Sequence, residues 1–168
     1  MARTRTTIDF TLPNVGPGPD PLALSDLVAE HNFVVVYLQR DHLCTNCRKQ
    51  VQQVANRYGE FREHSAEVVS VVPEPREKVQ AWQDSYDLPY PLLADPDAAA
   101  GETFDQPVRF GFLGELSDFL GRMPEAVVVD TRDGGPTVGW SYAGRSTFDR
   151  PSIDDVLDAL DDLREEPA

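Results

Sequence analysis

Two cysteines, Cys44 and Cys47, are the only ones in the 168 residues, and they stand in the spacing Cys44-Thr45-Asn46-Cys47. A C-x-x-C pair has two chemistries open to it: thiol–disulfide exchange and metal ligation. Exchange needs a thiolate, and a thiolate needs positive charge or N–H groups nearby. The sequence offers both. Behind Cys47 the apolar residues recur at helical spacing, Cys47, Val51, Val54, Tyr58 and Phe61, so the pair sits at a helix N-terminus. Unpaired N–H groups and the positive end of the helix dipole favour an anion there. Arg40, Arg48 and Lys49 add positive charge, and Asp41 opposes it. Cys44 is then the nucleophile and the more accessible of the two thiols, and Cys47, one turn in on the apolar face, is the thiol that attacks a mixed disulfide.

Metal ligation is the competing reading. His42-x-Cys44-x-x-Cys47 supplies three ligands, but a tetrahedral site needs four and no fourth is evident. No metal and no cofactor are therefore expected. His42 reads as a solvated loop histidine, with general base for Cys44 as its functional alternative.

The elements that must position the pair are legible on either side of it. Phe33-Val34-Val35-Val36-Tyr37-Leu38 is a β-branched and aromatic run, read as a strand buried on both faces. Glu67 to Val72 and Ala126 to Asp130 read as two more buried strands. Thr137 to Tyr142, after the Arg132-Asp133-Gly134-Gly135 turn, reads as an antiparallel edge with Val138, Trp140 and Tyr142 alternating. Ile8 to Pro13 and Leu22 to Leu24 are short N-terminal strands. Helices are expected from Asp26 to Glu30 (capped by Ser25), from Cys47 through Phe61 as one long element, after Pro73-Glu74-Pro75, and from Asp97 to Phe104. Two more are expected from Gly111 to Gly121 and after Ser152, where Asp155 completes a capping box. Val79, Trp82 and Tyr86 are core, and the acidic run from Asp154 to Glu166 is a solvated helix face. The expected fold is one α/β domain over residues 1–168, a mixed sheet with helices on both faces.

The formal charge of -14 disfavours nucleic acid and anionic membrane as partners. Only Lys49 and Lys78 are lysines, and an acidic, lysine-poor surface suits a high-salt cytoplasm. There is neither an apolar run of membrane-spanning length nor a signal-peptide pattern, so a cytoplasmic location is expected.

The same residues resemble the peroxiredoxin-like AhpC/TSA (alkyl hydroperoxide reductase/thiol-specific antioxidant) family of the thioredoxin superfamily, in its C-x-x-C subgroup. Asp9-Phe10-Thr11-Leu12-Pro13 with Leu24-Ser25-Asp26-Leu27 is similar to the family's opening. Tyr37 through Gln50 resembles its cysteine block, Pro91-Leu92-Leu93-Ala94-Asp95-Pro96-Asp97 its "PLLSDPD" segment, and Arg150-Pro151-Ser152 the run into its last helix. The P-x-x-x-T-x-x-C signature is matched by neither cysteine. Met123-Pro124 resembles the cis-proline that faces the C-x-x-C in thioredoxins, and Arg122 is a candidate anion-holding arginine.

The resemblance implies a thioredoxin-like fold and thiol redox chemistry at Cys44 and Cys47, with Pro124, Met123, Arg122 and His42 as supporting residues. The substrate is a peroxide, or alternatively a protein or small-molecule disulfide. An external dithiol reductant of the thioredoxin or glutaredoxin type is the implied partner. A metal-binding or redox-sensing module without turnover remains the reading from another class.

Overall fold

A computed structural model describes residues 8–41, 43–104, 124–132, 136–144 and 149–166. In chain order its elements are β1 (Thr11–Leu12), β2 (Leu22–Ala23), α1 (Leu24–Val28), β3 (Phe33–Leu38), α2 (Thr45–Asn56), α3 (Tyr58–Glu63) and β4 (Ala66–Val72). Beyond them come α4 (Arg76–Tyr86), β5 (Leu92–Ala94), α5 (Ala99–Thr103), β6 (Glu125–Asp130), β7 (Thr137–Ala143) and α6 (Ile153–Glu165). β1 and β2 pair as a small hairpin, and the other five strands form one sheet in the order β5-β4-β3-β6-β7.

All six side chains of β3 are buried because the strand lies at the centre of that sheet. It runs parallel to β4 and antiparallel to β6, so the sheet is mixed, as expected. Strand pleating divides its side chains between two cores. Phe33, Val35 and Tyr37 pack with Cys47, Val51 and Val54 of α2, Val79 and Trp82 of α4, and Val156 and Leu160 of α6. Val34, Val36 and Leu38 pack on the other face with Leu24 and Leu27 of α1 and with Ala100 and Phe104. Burying a Val, Leu or Phe side chain is worth about 1.5–3 kcal/mol, so β3 anchors both layers. Arg132 closes the far end: it forms an ion pair with Asp130, lies 4.9 Å from the Phe33 ring centroid and donates to the Leu163 carbonyl.

Several expectations need correction. α1 starts at Leu24, not Asp26, and Ala23 rather than Ser25 is its N-cap; the Ala23 N–H donates to Asp26 Oδ2. The long helix after the cysteines is two, because Arg57 leaves the helical region at φ -117 and ψ 18. Its side chain instead ties α3 and α6 together through Glu60 and Asp154. In β7 the alternation fails. Val128 pairs with Trp140 but Val129 pairs with Val138, so Gly139 is an extra residue and Val138 moves to the opposite face, where it is exposed. The helix expected over 111–121 lies outside the described residues. No helix of the described residues is long and apolar enough to cross a membrane.

Candidate active site

The site is built where β3 hands over to α2, at the C-terminal edge of the parallel strands. Gln39 continues the β3 ladder by one bond, its N–H donating to the Val71 carbonyl at 2.9 Å. The chain then turns around buried Asp41, whose Oδ1 accepts the Leu43 N–H at 2.8 Å while Oδ2 lies 3.4 Å from Arg40 Nε. That is the aspartate's ordinary turn-forming role. Its charge is matched by Arg40 within the loop.

Cys44 is the N-cap of α2, with extended dihedrals of φ -68 and ψ 107, and its sulfur accepts the Cys47 N–H at 3.2 Å. A thiol here does what a Ser or Asp side chain does at other helix starts. The first turn of α2 contains no acidic residue, so the helix dipole acts on the sulfur unopposed within the helix. Cys44 and Cys47 are paired as a disulfide with Cα atoms 5.2 Å apart, within the usual range for such a bond. Both are buried, Cys44 at 5% exposure and Cys47 at 0%. The Cys47 sulfur also accepts the backbone N–H of Arg40 at 3.4 Å.

Among the described residues, the cationic side chain at the sulfurs is Arg150. Its Nη2 donates to the Cys47 sulfur at 2.8 Å and to the Cys44 sulfur at 3.3 Å. Its Nη1 donates to Gln50 Oε1 at 2.9 Å and approaches Gln39 Oε1 at 3.5 Å. Gln50 lies on α2, one turn beyond Cys47. The start of α6 holds Arg150 in place: Ser152 caps that helix with a capping box, its hydroxyl accepting the Asp155 N–H and Asp155 accepting the Ser152 N–H. Burial, and after it the nearby Arg40 charge, lower the Arg150 pKa to about 10. It remains a cation at neutral pH. A guanidinium, a helix N-terminus and two backbone N–H groups thus converge on two sulfurs, an arrangement that favours thiolate over thiol.

Of the residues expected at the site, Cys44 and Cys47 are together. Pro124 is buried at the start of β6, where its carbonyl accepts the Gly144 N–H at 2.9 Å. Glu125 pairs with Leu38, so Pro124 stands at the sheet edge from which the cysteine loop departs. The cis peptide among the described residues is Asp20–Pro21; the Met123–Pro124 bond, like His42, Arg122 and Met123, lies outside them. Arg150, Gln39 and Gln50 are site residues that spacing does not single out in the sequence. Gln50 has a readable signal, since it is a polar side chain set between Cys47 and Val54 on a helix face that is otherwise apolar.

The model of the AhpC/TSA family matches residues 4–133, a stretch that holds both cysteines and ends short of Arg150. Two proteins of Mycobacterium tuberculosis, from strains CDC 1551 / Oshkosh and ATCC 25618 / H37Rv, are provisionally named as peroxiredoxins. Each is 31% identical over 88 residues, 52% of this chain and 54% of the relative. The chain thus spans about half the length of the curated relatives it matches. Among solved structures, peroxidoxin BcpB from Mycobacterium tuberculosis superposes with a TM-score of 0.74 at 23% identity, covering 97% of this chain and 96% of that one. A reduced 2-Cys peroxiredoxin from Plasmodium vivax gives 0.76 at 14% identity, covering 93% and 92%. The likeness to both establishes the thioredoxin-like α/β fold. With the family model matched over most of its length, the chain belongs to the AhpC/TSA family.

Proposed function

We propose that the protein is a two-cysteine thiol peroxidase in which Cys44 is the nucleophile and Cys47 the resolving thiol. The observation that carries this reading is the Arg150 guanidinium lying against both sulfurs at the start of α2. In the reduced protein the Cys44 thiolate attacks a hydroperoxide oxygen, the O–O bond breaks, and Cys44 becomes a sulfenic acid. The departing alkoxide takes up a proton and leaves as the alcohol. Arg150 stabilises the thiolate before attack and the negative charge that moves to oxygen during it. Cys47 then displaces water from the sulfenic acid, forming the disulfide. An external dithiol of the thioredoxin or glutaredoxin type returns the two electrons by exchange.

The alternative is reduction of protein disulfides by the same two thiols, with Cys44, 5% exposed, again the attacking sulfur. Purified protein assayed with hydrogen peroxide, an alkyl hydroperoxide and insulin, each with a dithiol donor, separates the two. Peroxide consumption without insulin reduction is the expected result. Insulin reduction without peroxide consumption would replace the peroxidase reading with the reductase one.

A further inference from the structure

Beside the disulfide lies a cavity of ≈ 170 Å³ whose walls include Tyr37, Asn46, Lys49, Gln50, Gln53 and Arg150. Three features set it apart from an ordinary surface hollow. Among the described residues its lining holds no acidic side chain, although the chain carries a formal charge of -14. Lys49, exposed in that lining, makes no ion pair among the described residues, whereas Arg57, Arg62, Arg76, Lys78 and Arg132 each have a carboxylate partner. The Tyr37 side chain is 1% exposed, and its hydroxyl has no hydrogen-bond partner among the described residues. A buried hydroxyl without a partner is costly, and a ligand atom at hydrogen-bond distance relieves that cost.

We infer that this cavity is a carboxylate subsite, and that the preferred substrates are small hydroperoxides carrying their own carboxylate. The inference rests on the peroxidase reading and adds to it the substrate class. Lys49 and Arg150 supply the positive charge, Asn46, Gln50 and Gln53 supply amide donors, and the Tyr37 hydroxyl supplies one more. Arg150 is shared between the cavity and the sulfurs, and Asn46 is part of the Cys44–Cys47 turn. A carboxylate held there lies on the far side of the Arg150 guanidinium that touches both sulfurs. Size sets the other limit. An apolar cavity of about 150 Å³ holds benzene, so this one takes roughly six heavy atoms. The step itself is that of the proposed reaction: the thiolate takes one peroxide oxygen, the O–O bond breaks, and a hydroxy acid leaves.

The test compares hydroperoxyacetate with 2-methylpropyl hydroperoxide, an uncharged molecule of similar shape, on the wild type, Lys49→Ala and Tyr37→Phe. The ratio of the two kcat/KM values should favour the charged substrate in the wild type and fall with added salt. Losing an exposed charge pair should reduce that ratio about threefold in Lys49→Ala, and losing a hydrogen bond to a charged group about tenfold in Tyr37→Phe. Equal kcat/KM for the two substrates, or a ratio that neither variant changes, overturns the inference. Calorimetric titration of the disulfide form with propanoate gives a readout independent of turnover. Saturable binding weakened in both variants supports the subsite even if no peroxide is consumed, and absence of binding to the wild type removes it.

Discussion

Arg150 reaches Cys47 from 103 residues further along the chain, and its Nη2 donates to the Cys47 sulfur at 2.8 Å. A guanidinium so placed has different partners in the two redox states. Against the disulfide it faces neutral sulfurs and the side-chain oxygens of Gln50 and Gln39; against the reduced pair it faces a thiolate. The contact is therefore stronger after reduction, and the cation favours the reduced form.

Replacing the guanidinium should make the couple more reducing. A hydrogen bond to a charged group contributes about 1.5–3 kcal/mol, which for two electrons corresponds to about 30–60 mV. Arg150→Met, equilibrated in glutathione buffers, is expected to shift the potential downward by that amount. Arg150→Lys should recover only part of it, since a point charge cannot reach two sulfurs and Gln50 in one plane. An unchanged potential in Arg150→Met would show that the contact is only structural.

The same residue should lower the stability of the disulfide form. Its pKa is lowered to about 10, chiefly by burial and then by Arg40, so the folded state holds this proton less tightly than the unfolded chain does. Below about pH 10 both states are protonated and the burial penalty is present in full; as pH rises further only the unfolded state keeps the proton, and the penalty is relieved. Thermal unfolding of oxidised Arg150→Met at neutral pH is therefore expected at a higher midpoint than wild type. The difference should shrink above about pH 10. A lower midpoint at neutral pH would mean that the bonds from Arg150 outweigh its desolvation.

Ser152 links that arginine to α6. Removing its cap in Ser152→Ala should cost about 1 kcal/mol, or a fall of roughly 2–4 °C in Tm for a chain of this size. Peroxide turnover should fall by more than stability alone predicts, because Arg150 stands two residues before the cap. Calorimetry and a peroxide assay on the same preparation test this. A Tm loss with unchanged kcat/KM would uncouple the cap from the site.

The site is partly legible in the sequence because part of it is local. A six-residue apolar run, a polar break and a change of period from two to 3.6 place the C-x-x-C at a strand-to-helix junction, and β3 and the start of α2 stand there. The sulfurs' cationic partner is not legible by the same means. Arg40, Arg48 and Lys49 are neighbours in sequence, but Arg40 is drawn to Asp41 and contributes its backbone N–H, while the guanidinium at the sulfurs comes from beyond β7. Spacing rules describe one helix or one strand and cannot report contacts between distant segments. The misreading at Val138 has a similar source: one inserted residue, Gly139, reverses the faces, and alternation alone does not reveal a bulge.

Which thiol is attacked first depends on cap geometry. Cys44 precedes the helix and receives the Cys47 N–H, whereas Cys47 is on the buried face and fully covered. Alkylation of the reduced protein at graded pH, mapped by mass spectrometry, is expected to modify Cys44 first and with the lower apparent pKa. First modification at Cys47 would reverse the two roles.

The central claim is that Cys44 reduces the peroxide and Cys47 closes the catalytic cycle, and rapid-mixing kinetics of Cys44→Ser and Cys47→Ser with hydroperoxide test it most directly. Cys47→Ser should consume one equivalent of peroxide at close to the wild-type rate and stop at a sulfenic acid that a dimedone-type reagent traps on Cys44, while Cys44→Ser should show no burst. A full burst from Cys44→Ser, or none from the wild-type dithiol, would contradict the account.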